Sequence, residues 1–253
     1  MIEIQKNIQI IDLGLYLKKE KTLIITDLHI GYEESLNKQG VLIPRFSFKD
    51  LVIRLNKILN KTKPETIIIN GDIKHEFGKI SETEWRNTLK LLNLLAQTSK
   101  VILIKGNHDK ILKPIAEKKN ITIKDSITLN NILIIHGNKI PKDLKQVKTI
   151  IIGHEHPAIS ISDSTRKEKY KCFLKGKYKR KNLIVQPSFN LITEGTDISK
   201  VLENQKFSES RKPKGFSMQK LISPFLKQDL SKFNVYIVSD KVYDFGKLKD
   251  LVN

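Results

Sequence analysis

All six histidines of this chain lie in or beside short motifs that also contain aspartate, asparagine or glycine. Neutral imidazole is a nitrogen ligand and aspartate is a hard oxygen ligand, so a spaced series of both suits a site for two divalent cations. A single histidine is more often a partly buried polar residue than a ligand, but six with the same placement indicate a shared site. In chain order the motifs are Asp27-Leu28-His29, Gly71-Asp72 with the nearby His75, Gly106-Asn107-His108-Asp109, His136-Gly137 and Gly153-His154-Glu155-His156.

A continuous apolar run, rich in β-branched residues, precedes each motif. Such runs are typical of strands that are buried on both faces. Each run ends in glycine or a polar residue, so its motif falls just past the carboxyl end of a strand, where open α/β sheets bind ligands. We therefore predict five strands that bring their motifs to one rim. The runs are residues 23–26, 66–70, 101–105, 131–135 and 149–152.

The order D-x-H, G-D, G-N-H-D, H and G-H-x-H resembles that of the calcineurin-like metallophosphoesterase superfamily, over roughly residues 22–157. The resemblance implies an α/β fold, a four-layer α/β/β/α sandwich with a dinuclear metal centre. Shorter motifs at residues 27–33, 71–76 and 186–190 resemble a narrower group of archaeal phosphoesterases and bacterial ligase- or helicase-associated DNA phosphodiesterases. The resemblance therefore implies a metal-dependent hydrolase of phosphate esters.

The resemblance also implies seven ligands for two metal ions. Two cations about 3.5–4 Å apart can neutralise phosphoryl oxygens and turn a bridging water into hydroxide near neutral pH. Mixed nitrogen and oxygen ligation favours Mn, Fe, Zn, Co or Ni over Ca or Mg, and we name Mn first. One ion would be bound by Asp27, His29 and His156, the other by Asn107, His136 and His154, with Asp72 bridging the two.

The third motif also supplies a candidate for proton transfer. His108 follows the implied ligand Asn107 directly, so it cannot comfortably bind the same ion. In the enzymes that the chain resembles, the corresponding histidine contacts the scissile phosphate or protonates the leaving oxygen, and the following acid orients its ring. We therefore expect His108 and Asp109 to be catalytic.

Three further residues are candidates for substrate binding. His75 lies three residues after Asp72 and is expected to hold substrate phosphate; the alternative is a hydrogen bond that braces its loop. Arg45 and Asn190 lie in segments that are also expected to reach the site, Arg45 as a phosphate clamp.

The chain is strongly basic, with a formal net charge of +19. A basic protein is a candidate for phosphate-rich partners, single-stranded nucleic acid among them. Lysine is nevertheless spread over the whole chain, which suggests a compositional bias. The densest basic run, residues 166–181, is expected to form a hairpin. It is either a solvated surface or a polyanion-binding strip with Tyr170 and Tyr178 as stacking candidates.

The remaining features favour a single domain over residues 1–253. No apolar stretch is long enough to span a membrane, and the first residues lack a signal-peptide core, so we expect a cytoplasmic protein without a membrane partner. Cys172 is the only cysteine, which favours a reducing compartment and a packing role for this thiol. The apolar residues in 196–220 show no regular helical or strand spacing, and we expect a long loop or a partly mobile segment there.

Three classes of function fit these observations. The first is a nuclease or phosphodiesterase that acts on DNA or RNA, which the narrower resemblance and the charge favour. The second is a phosphatase or phosphodiesterase of small or cyclic nucleotides with the same metal ions. The third, a metal-free binding module on this scaffold, is disfavoured because all seven ligand positions are filled.

Overall fold

The computed structural model describes residues 1–43, 46–78, 80–110, 112–119, 121–162, 166–206 and 220–251. Within these ranges the chain forms two β-sheets and five α-helices. None of the described helices combines the length and the apolar character that crossing a bilayer requires.

The first sheet has seven strands, which lie side by side in chain order. Its first four strands are antiparallel neighbours, and the strands from the fourth to the seventh are parallel. The strands are β1 (Ile2–Gln5), β2 (Ile8–Ile11), β3 (Gly14–Leu17), β4 (Thr22–Ile25), β5 (Thr66–Asn70), β6 (Lys100–Ile104) and β7 (Thr122–Lys124).

The second sheet has nine strands and combines parallel and antiparallel pairs. Its centre contains two parallel pairs, the ninth strand of the chain with the tenth and the tenth with the thirteenth. The strands are β8 (Ser126–Leu129), β9 (Ile132–Ile135), β10 (Thr149–Ile152), β11 (Pro157–Ser162), β12 (Lys167–Tyr178), β13 (Lys181–Val185), β14 (Thr196–Asp197), β15 (Asn234–Val238) and β16 (Val242–Lys247).

The helices follow from local patterns in the sequence. The second helix buries Leu51, Leu55 and Ile58, which lie on one face at helical spacing. The third begins with a capping box, in which Ser81 and Glu84 each accept a hydrogen bond from the other's backbone N–H. The helices are α1 (Tyr32–Lys38), α2 (Ser47–Thr62), α3 (Glu82–Ala96), α4 (Lys113–Lys118) and α5 (Ile198–Lys206), with a 3-10 turn at Leu248–Asp250.

Two apolar cores give the molecule its layers. One contains the buried faces of α2 and α3, the first sheet, and inward side chains of the second sheet such as Phe173. The other lies on the opposite face of the second sheet, where Cys172 and Leu174 pack with residues of α5 and with Phe225. The order is helices, sheet, sheet, helix, so the predicted α/β/β/α sandwich is confirmed.

The segment at residues 196–220 differs from the expected loop over its first part. Residues 196–206 form β14 and α5, because Ile198, Val201 and Leu202 are buried at helical spacing and Asp197 accepts a hydrogen bond from the backbone N–H of Ser199. Three apolar positions among many polar ones are too few to show a period in the sequence. Residues 207–219 lie outside the described residues, so the expected mobility stays a prediction.

The basic run forms the predicted hairpin, made by β12 and β13, but Tyr178 does not have the expected role. Its side chain is buried, and its ring packs on Phe225 with the ring centroids 5.0 Å apart. A ring held in the core is not available to stack on a base, so Tyr178 is wrong as a stacking candidate.

Candidate metal centre

The five histidine-containing motifs follow five strands, as predicted, but the strands belong to both sheets. Asp27 and His29 follow β4, Asp72 follows β5, and the motif at residues 106–109 follows β6, all in the first sheet. His136 follows β9, and the motif at residues 153–156 follows β10 in the second sheet. The carboxyl ends of both sets of parallel strands meet at one edge of the sandwich, which we call the rim.

The backbone at the rim is unusual. Five of the seven predicted ligands have a positive φ, a region that residues other than glycine seldom occupy. Such conformations cost on the order of 1–3 kcal/mol each and cluster at functional sites. The residues are Asp27 (53°), His29 (41°), Asp72 (49°), His154 (63°) and His156 (50°).

A first group of donors consists of Asp27, His29 and His156. One donor atom from each side chain lies within 4.8 Å of the others. Nε2 of His156 lies 3.2 Å from Oδ1 of Asp27 and 3.3 Å from Nε2 of His29. Asp27 is held in place because its Oδ2 accepts hydrogen bonds from the hydroxyl of Thr26 (2.7 Å) and the backbone N–H of His154 (3.0 Å).

A second group of donors consists of Asp72, His136 and His154, again within 4.8 Å of one another. Nε2 of His136 lies 3.2 Å from Oδ2 of Asp72 and 3.0 Å from Oδ1 of Asn107. Nδ1 of His136 lies 3.1 Å from the backbone oxygen of Asn70, to which it can donate. When the ring is neutral and Nδ1 donates to this oxygen, the lone pair lies on Nε2, the form in which an imidazole binds a metal ion.

Glycines in three of the motifs make room for these donors. A Cβ at Gly106 would lie 2.0 Å from Oδ1 of Asp72, and one at Gly71 would lie 2.1 Å from Nδ1 of His136. A Cβ at Gly153 would lie 2.5 Å from Oδ2 of Asp27. The donors are therefore packed directly against backbone that has no side chain. Two nearby groups of nitrogen and oxygen donors in this cradle fit two borderline divalent cations.

The pKa values of the buried histidines reflect this mixture of charges. Burial, together with the neighbouring histidines, lowers the pKa of His29 to about 3 and that of His154 to about 4. Burial also disfavours the charged form of His136, but the carboxylates of Asp72 and Asp27 outweigh it and raise its pKa to about 9. Burial opposes ionisation of Asp27, yet His156, His136 and His29 hold its pKa well below the usual range. In the metal-free protein the negative charge of the two carboxylates therefore favours the protonated form of His136. A bound cation would balance that negative charge instead.

His108 lies at the rim, but the structure gives its ring a different partner from the expected one. Its Nδ1 contacts the backbone oxygen of His75, and its Nε2 lies 3.8 Å from Oδ2 of Asp72. The carboxylate of Asp109 instead accepts hydrogen bonds from the backbone N–H groups of Asp72 (2.7 Å), Ile73 (3.2 Å) and Gly106 (3.0 Å). Asp109 therefore ties the Asp72 loop to its own loop, and it does not orient the His108 ring.

His75 stands beside His108, and its loop is braced through its backbone. The backbone N–H groups of His75 and Glu76 donate to Oε1 of Glu84, at 3.0 and 2.8 Å. Nδ1 of the His75 ring makes no hydrogen bond within the described part of the chain. The bracing that the sequence left as an alternative is thus done by Glu84, the capping-box residue of α3.

Asn190 lies in the loop between β13 and β14 of the second sheet, and this loop contacts the residues that follow β4 of the first sheet. Its side-chain amide donates to the backbone oxygens of Leu28 (2.9 Å) and His29 (3.2 Å), and its oxygen accepts from two backbone N–H groups. The hydroxyl of Ser188, in the same loop, donates to the backbone oxygen of Asp27. Because Asn190 is buried and all its polar atoms are engaged, the expected substrate contact does not fit, and its hydrogen bonds hold the strained Asp27–His29 backbone.

One predicted site residue stays untested, and one residue at the rim was not predicted. Arg45, expected as a phosphate clamp, lies outside the described residues. Phe77, which sequence reasoning missed, is 59% exposed, and its ring centroid lies 3.6 Å from that of His108. Its position two residues after His75 was the only sequence signal for a place at the rim.

Comparison with known proteins gives the class to which this site belongs. The calcineurin-like phosphoesterase family matches residues 20–178, which include all seven predicted ligands. No curated protein sequence matched the chain. Among solved structures, nuclease MPE from Pseudomonas putida is similar at 19% identity with a TM-score of 0.61, over 94% of this chain and 100% of that one. YfcE, a phosphoesterase from E. coli, is similar at 12% identity with a TM-score of 0.38, over 91% and 94%.

The chain belongs to the calcineurin-like phosphoesterase family. It is therefore a hydrolase of phosphate esters, in a family that uses divalent metal ions, and its histidine and aspartate clusters can bind such ions. The likeness to nuclease MPE concerns the fold, which agrees with the two-sheet sandwich described above.

Proposed function

We propose that this phosphoesterase is a two-metal phosphodiesterase that cleaves nucleic acid. The observation that carries the proposal is the pair of adjacent donor groups at the rim, one around Asp27 and one around Asp72. A single metal ion needs only one such group, and a structural role would not require both to lie together at the carboxyl ends of the strands.

The seven ligands would divide as the family resemblance implies. When bound, the two ions supply charge neutralisation of the phosphoryl oxygens and activation of a water molecule. The donor set mixes imidazole nitrogen with carboxylate and amide oxygen, which suits Mn, Fe, Zn, Co or Ni. Manganese is our first candidate among them. One ion would be held by Asp27, His29 and His156, the other by Asn107, His136 and His154, with Asp72 between them.

The protein's own groups would then bind the phosphate and supply the proton. His108 is the candidate acid, because the His75 backbone oxygen fixes its Nδ1 and directs Nε2 towards the Asp72 side of the site. The His75 ring, whose centroid lies 5.6 Å from that of His108, is the candidate phosphate donor. Asp109 and Asn190 act through the backbone as positioning residues.

Three observations support a polynucleotide substrate. The side chains of His156 and His108 are 19% and 13% exposed at the rim, so a phosphate can approach the donor groups from solvent. The exposed ring of Phe77 beside His108 offers a stacking surface for a base next to the scissile phosphate. The chain carries a net charge of +19, and the protein with the similar fold from Pseudomonas putida is a nuclease.

The test is a side-by-side assay of two substrates with added Mn2+. Single-stranded DNA and a 2′,3′-cyclic nucleotide would be incubated with the wild type and with Asp72→Asn. We expect hydrolysis of the DNA by the wild type alone, with the circular dichroism spectrum of the variant unchanged. Cleavage of the cyclic nucleotide without any cleavage of DNA would contradict the nucleic-acid proposal and favour a small-nucleotide enzyme.

Two wider expectations remain proposals. A single domain over residues 1–253 is supported by the continuous core that joins both sheets. A reducing, cytoplasmic location rests on the single cysteine, Cys172, which is fully buried and whose thiol pKa is raised by burial.

A further inference from the structure

One end of the basic hairpin projects past the rim. Leu174 of β12 lies opposite Val185 of β13, which in turn lies opposite Ile152 at the end of β10. The residues of β12 that precede Leu174 therefore continue beyond the rim, where Lys167 to Lys171 pair with β11. Lys167 lies seven residues before Leu174, so the projection extends about 23 Å past the rim.

Three lysines share one face of this projection. Side chains alternate along a strand, so Lys167, Lys169 and Lys171 point to the same side as Phe173, which is the side that faces the first sheet. On this side Lys167 and Lys169 are exposed, whereas Phe173 is buried. The lysines are about 7 Å apart along the strand, which is close to the distance between neighbouring phosphates in an extended single strand.

The lysine nearest the rim has a structural role. Nζ of Lys171 donates to the backbone oxygen of Ser188 (3.0 Å) and to the hydroxyl of Thr193 (3.2 Å). These bonds hold the loop that supports Asp27 and His29. The row of lysines therefore begins at the loop that supports the metal donors and runs outward from it.

The other two lysines line an open depression of about 460 Å³ together with Ser160, Glu194 and Lys200 of α5. Lys169 forms an ion pair with Glu194, at 2.6 Å between Nζ and Oε2. The Glu194 side chain is 80% exposed, and an exposed pair of this kind adds little stability. A phosphate could therefore replace this carboxylate at low cost.

We propose that Lys167, Lys169 and Lys200 form a binding strip for the backbone of a single-stranded polynucleotide that enters the metal centre. This inference rests on the proposed phosphodiesterase function and names the surface that holds the substrate outside the reacting phosphate. The strip is continuous with the rim through β11, which begins at Pro157, directly after His156.

The opposite end of the hairpin provides the contrast. Tyr178 pairs with Lys181, at the start of β13, so the turn between them lies at the end of the sheet away from the rim. The turn lies at least about 13 Å from Val185, because four residues of strand separate Lys181 from Val185. Lys175, also in this half, contacts the backbone oxygen of Ile4 in the first sheet. In place of a polyanion-binding strip along the whole of residues 166–181, the structure therefore favours a strip at one end of the hairpin only.

This contrast supplies a matched experiment. The strip variant combines Lys167→Gln, Lys169→Gln and Lys200→Gln. The control variant, which removes the same charge from the far turn, combines Lys177→Gln, Lys179→Gln and Arg180→Gln. Binding of a phosphorothioate-linked single-stranded DNA, which resists hydrolysis, would be measured by fluorescence anisotropy at several salt concentrations with metal-loaded protein.

We expect the strip variant to bind DNA at least 10-fold more weakly at low salt. Its plot of log affinity against log salt should flatten by about 2, since each lost contact to a single strand contributes about 0.7. The control variant should keep the wild-type slope. A single change, Glu194→Gln, should tighten binding, because it removes the carboxylate that competes for Lys169.

Two results would contradict the proposed binding strip. Equal weakening in both triple variants would mean that overall charge binds the DNA, and wild-type binding in the strip variant would mean that these lysines are solvated surface. Hydrolysis of bis(p-nitrophenyl) phosphate by the wild type, measured separately, reports on the phosphodiesterase proposal. Its absence would contradict that proposal, whereas the binding data would still decide the strip.

Discussion

Gly106→Ala should damage the metal centre without unfolding the protein. The φ of Gly106 is outside the left-handed region, so the backbone tolerates alanine there, and the obstacle is space. The new Cβ would lie 2.0 Å from Oδ1 and 2.4 Å from the backbone nitrogen of Asp72, where ordinary contact begins at 3.4 Å. Asp72 would have to retreat by about 1.4 Å, the difference between 3.4 and 2.0 Å.

Such a displacement is large on the scale of catalysis. A misplacement of about 1 Å can cost on the order of 100-fold in rate, and overpacking typically costs about 1–3 kcal/mol of stability. We therefore expect kcat for bis(p-nitrophenyl) phosphate to fall at least about 100-fold. Less than two equivalents of metal should remain after gel filtration, because the shared ligand no longer fits both ions.

Gly246→Ala is the matched control. Nothing lies within 4 Å of a Cβ at Gly246, but its φ of 74° makes alanine strained there. That strain should cost about 1–2 kcal/mol, similar to the loss at Gly106, while activity and metal content stay at the wild-type level. Full activity and both metal ions in Gly106→Ala would refute the argument that this glycine exists to admit the Asp72 carboxylate.

Three further predictions concern the residues around the metal ions. His108→Ala should keep both ions but lose roughly 10²–10⁴-fold in kcat on esters with a poor alkoxide leaving group, and less on p-nitrophenyl esters; loss of an ion would contradict its role as the acid. Asn190→Ala should lower the free energy of unfolding by about 1–3 kcal/mol in a urea titration and weaken metal binding, while KM stays unchanged. A raised KM would indicate that Asn190 contacts the substrate after all. In the metal-free protein the pKa of His136 is raised from 6.5 to about 9. The contribution of protonated His136 to the free energy of unfolding is therefore complete below pH 6.5 and is lost as the pH rises through about 9. Metal affinity should rise over the same range, and calorimetry in buffers of different ionisation enthalpy should detect the released proton; an affinity independent of pH would contradict this.

The strands and their motifs could be predicted because the signals are local. Each apolar run is long enough to form a buried strand, and the residue that ends it, such as Gly71 or Gly153, marks where the chain leaves the sheet. The division of the five strands between two sheets could not be predicted from the runs themselves. Strand partners are chosen by long-range pairing, which local composition does not encode.

The sequence predictions that differ from the structure failed for the same reason, because they too depend on long-range pairing. The family resemblance implied a contact between the side chains of Asp109 and His108, but the carboxylate of Asp109 meets the backbone N–H of Asp72, 37 residues away. The Asn190 amide reaches Leu28 across the two sheets. The direction of the basic hairpin depends on the register of β12 against β13, which decides which lysines approach the rim. Each of these facts depends on a pairing between distant segments.

The most direct test of the two-metal proposal is anomalous diffraction from crystals of the protein grown with Mn2+. We expect two manganese peaks about 3.5–4 Å apart, one beside Asp27 and His156 and the other beside His136, with Asp72 between them. A single peak at saturating Mn2+, or a peak held instead by His29, His75 and His108, which also lie close enough to bind an ion, would contradict it.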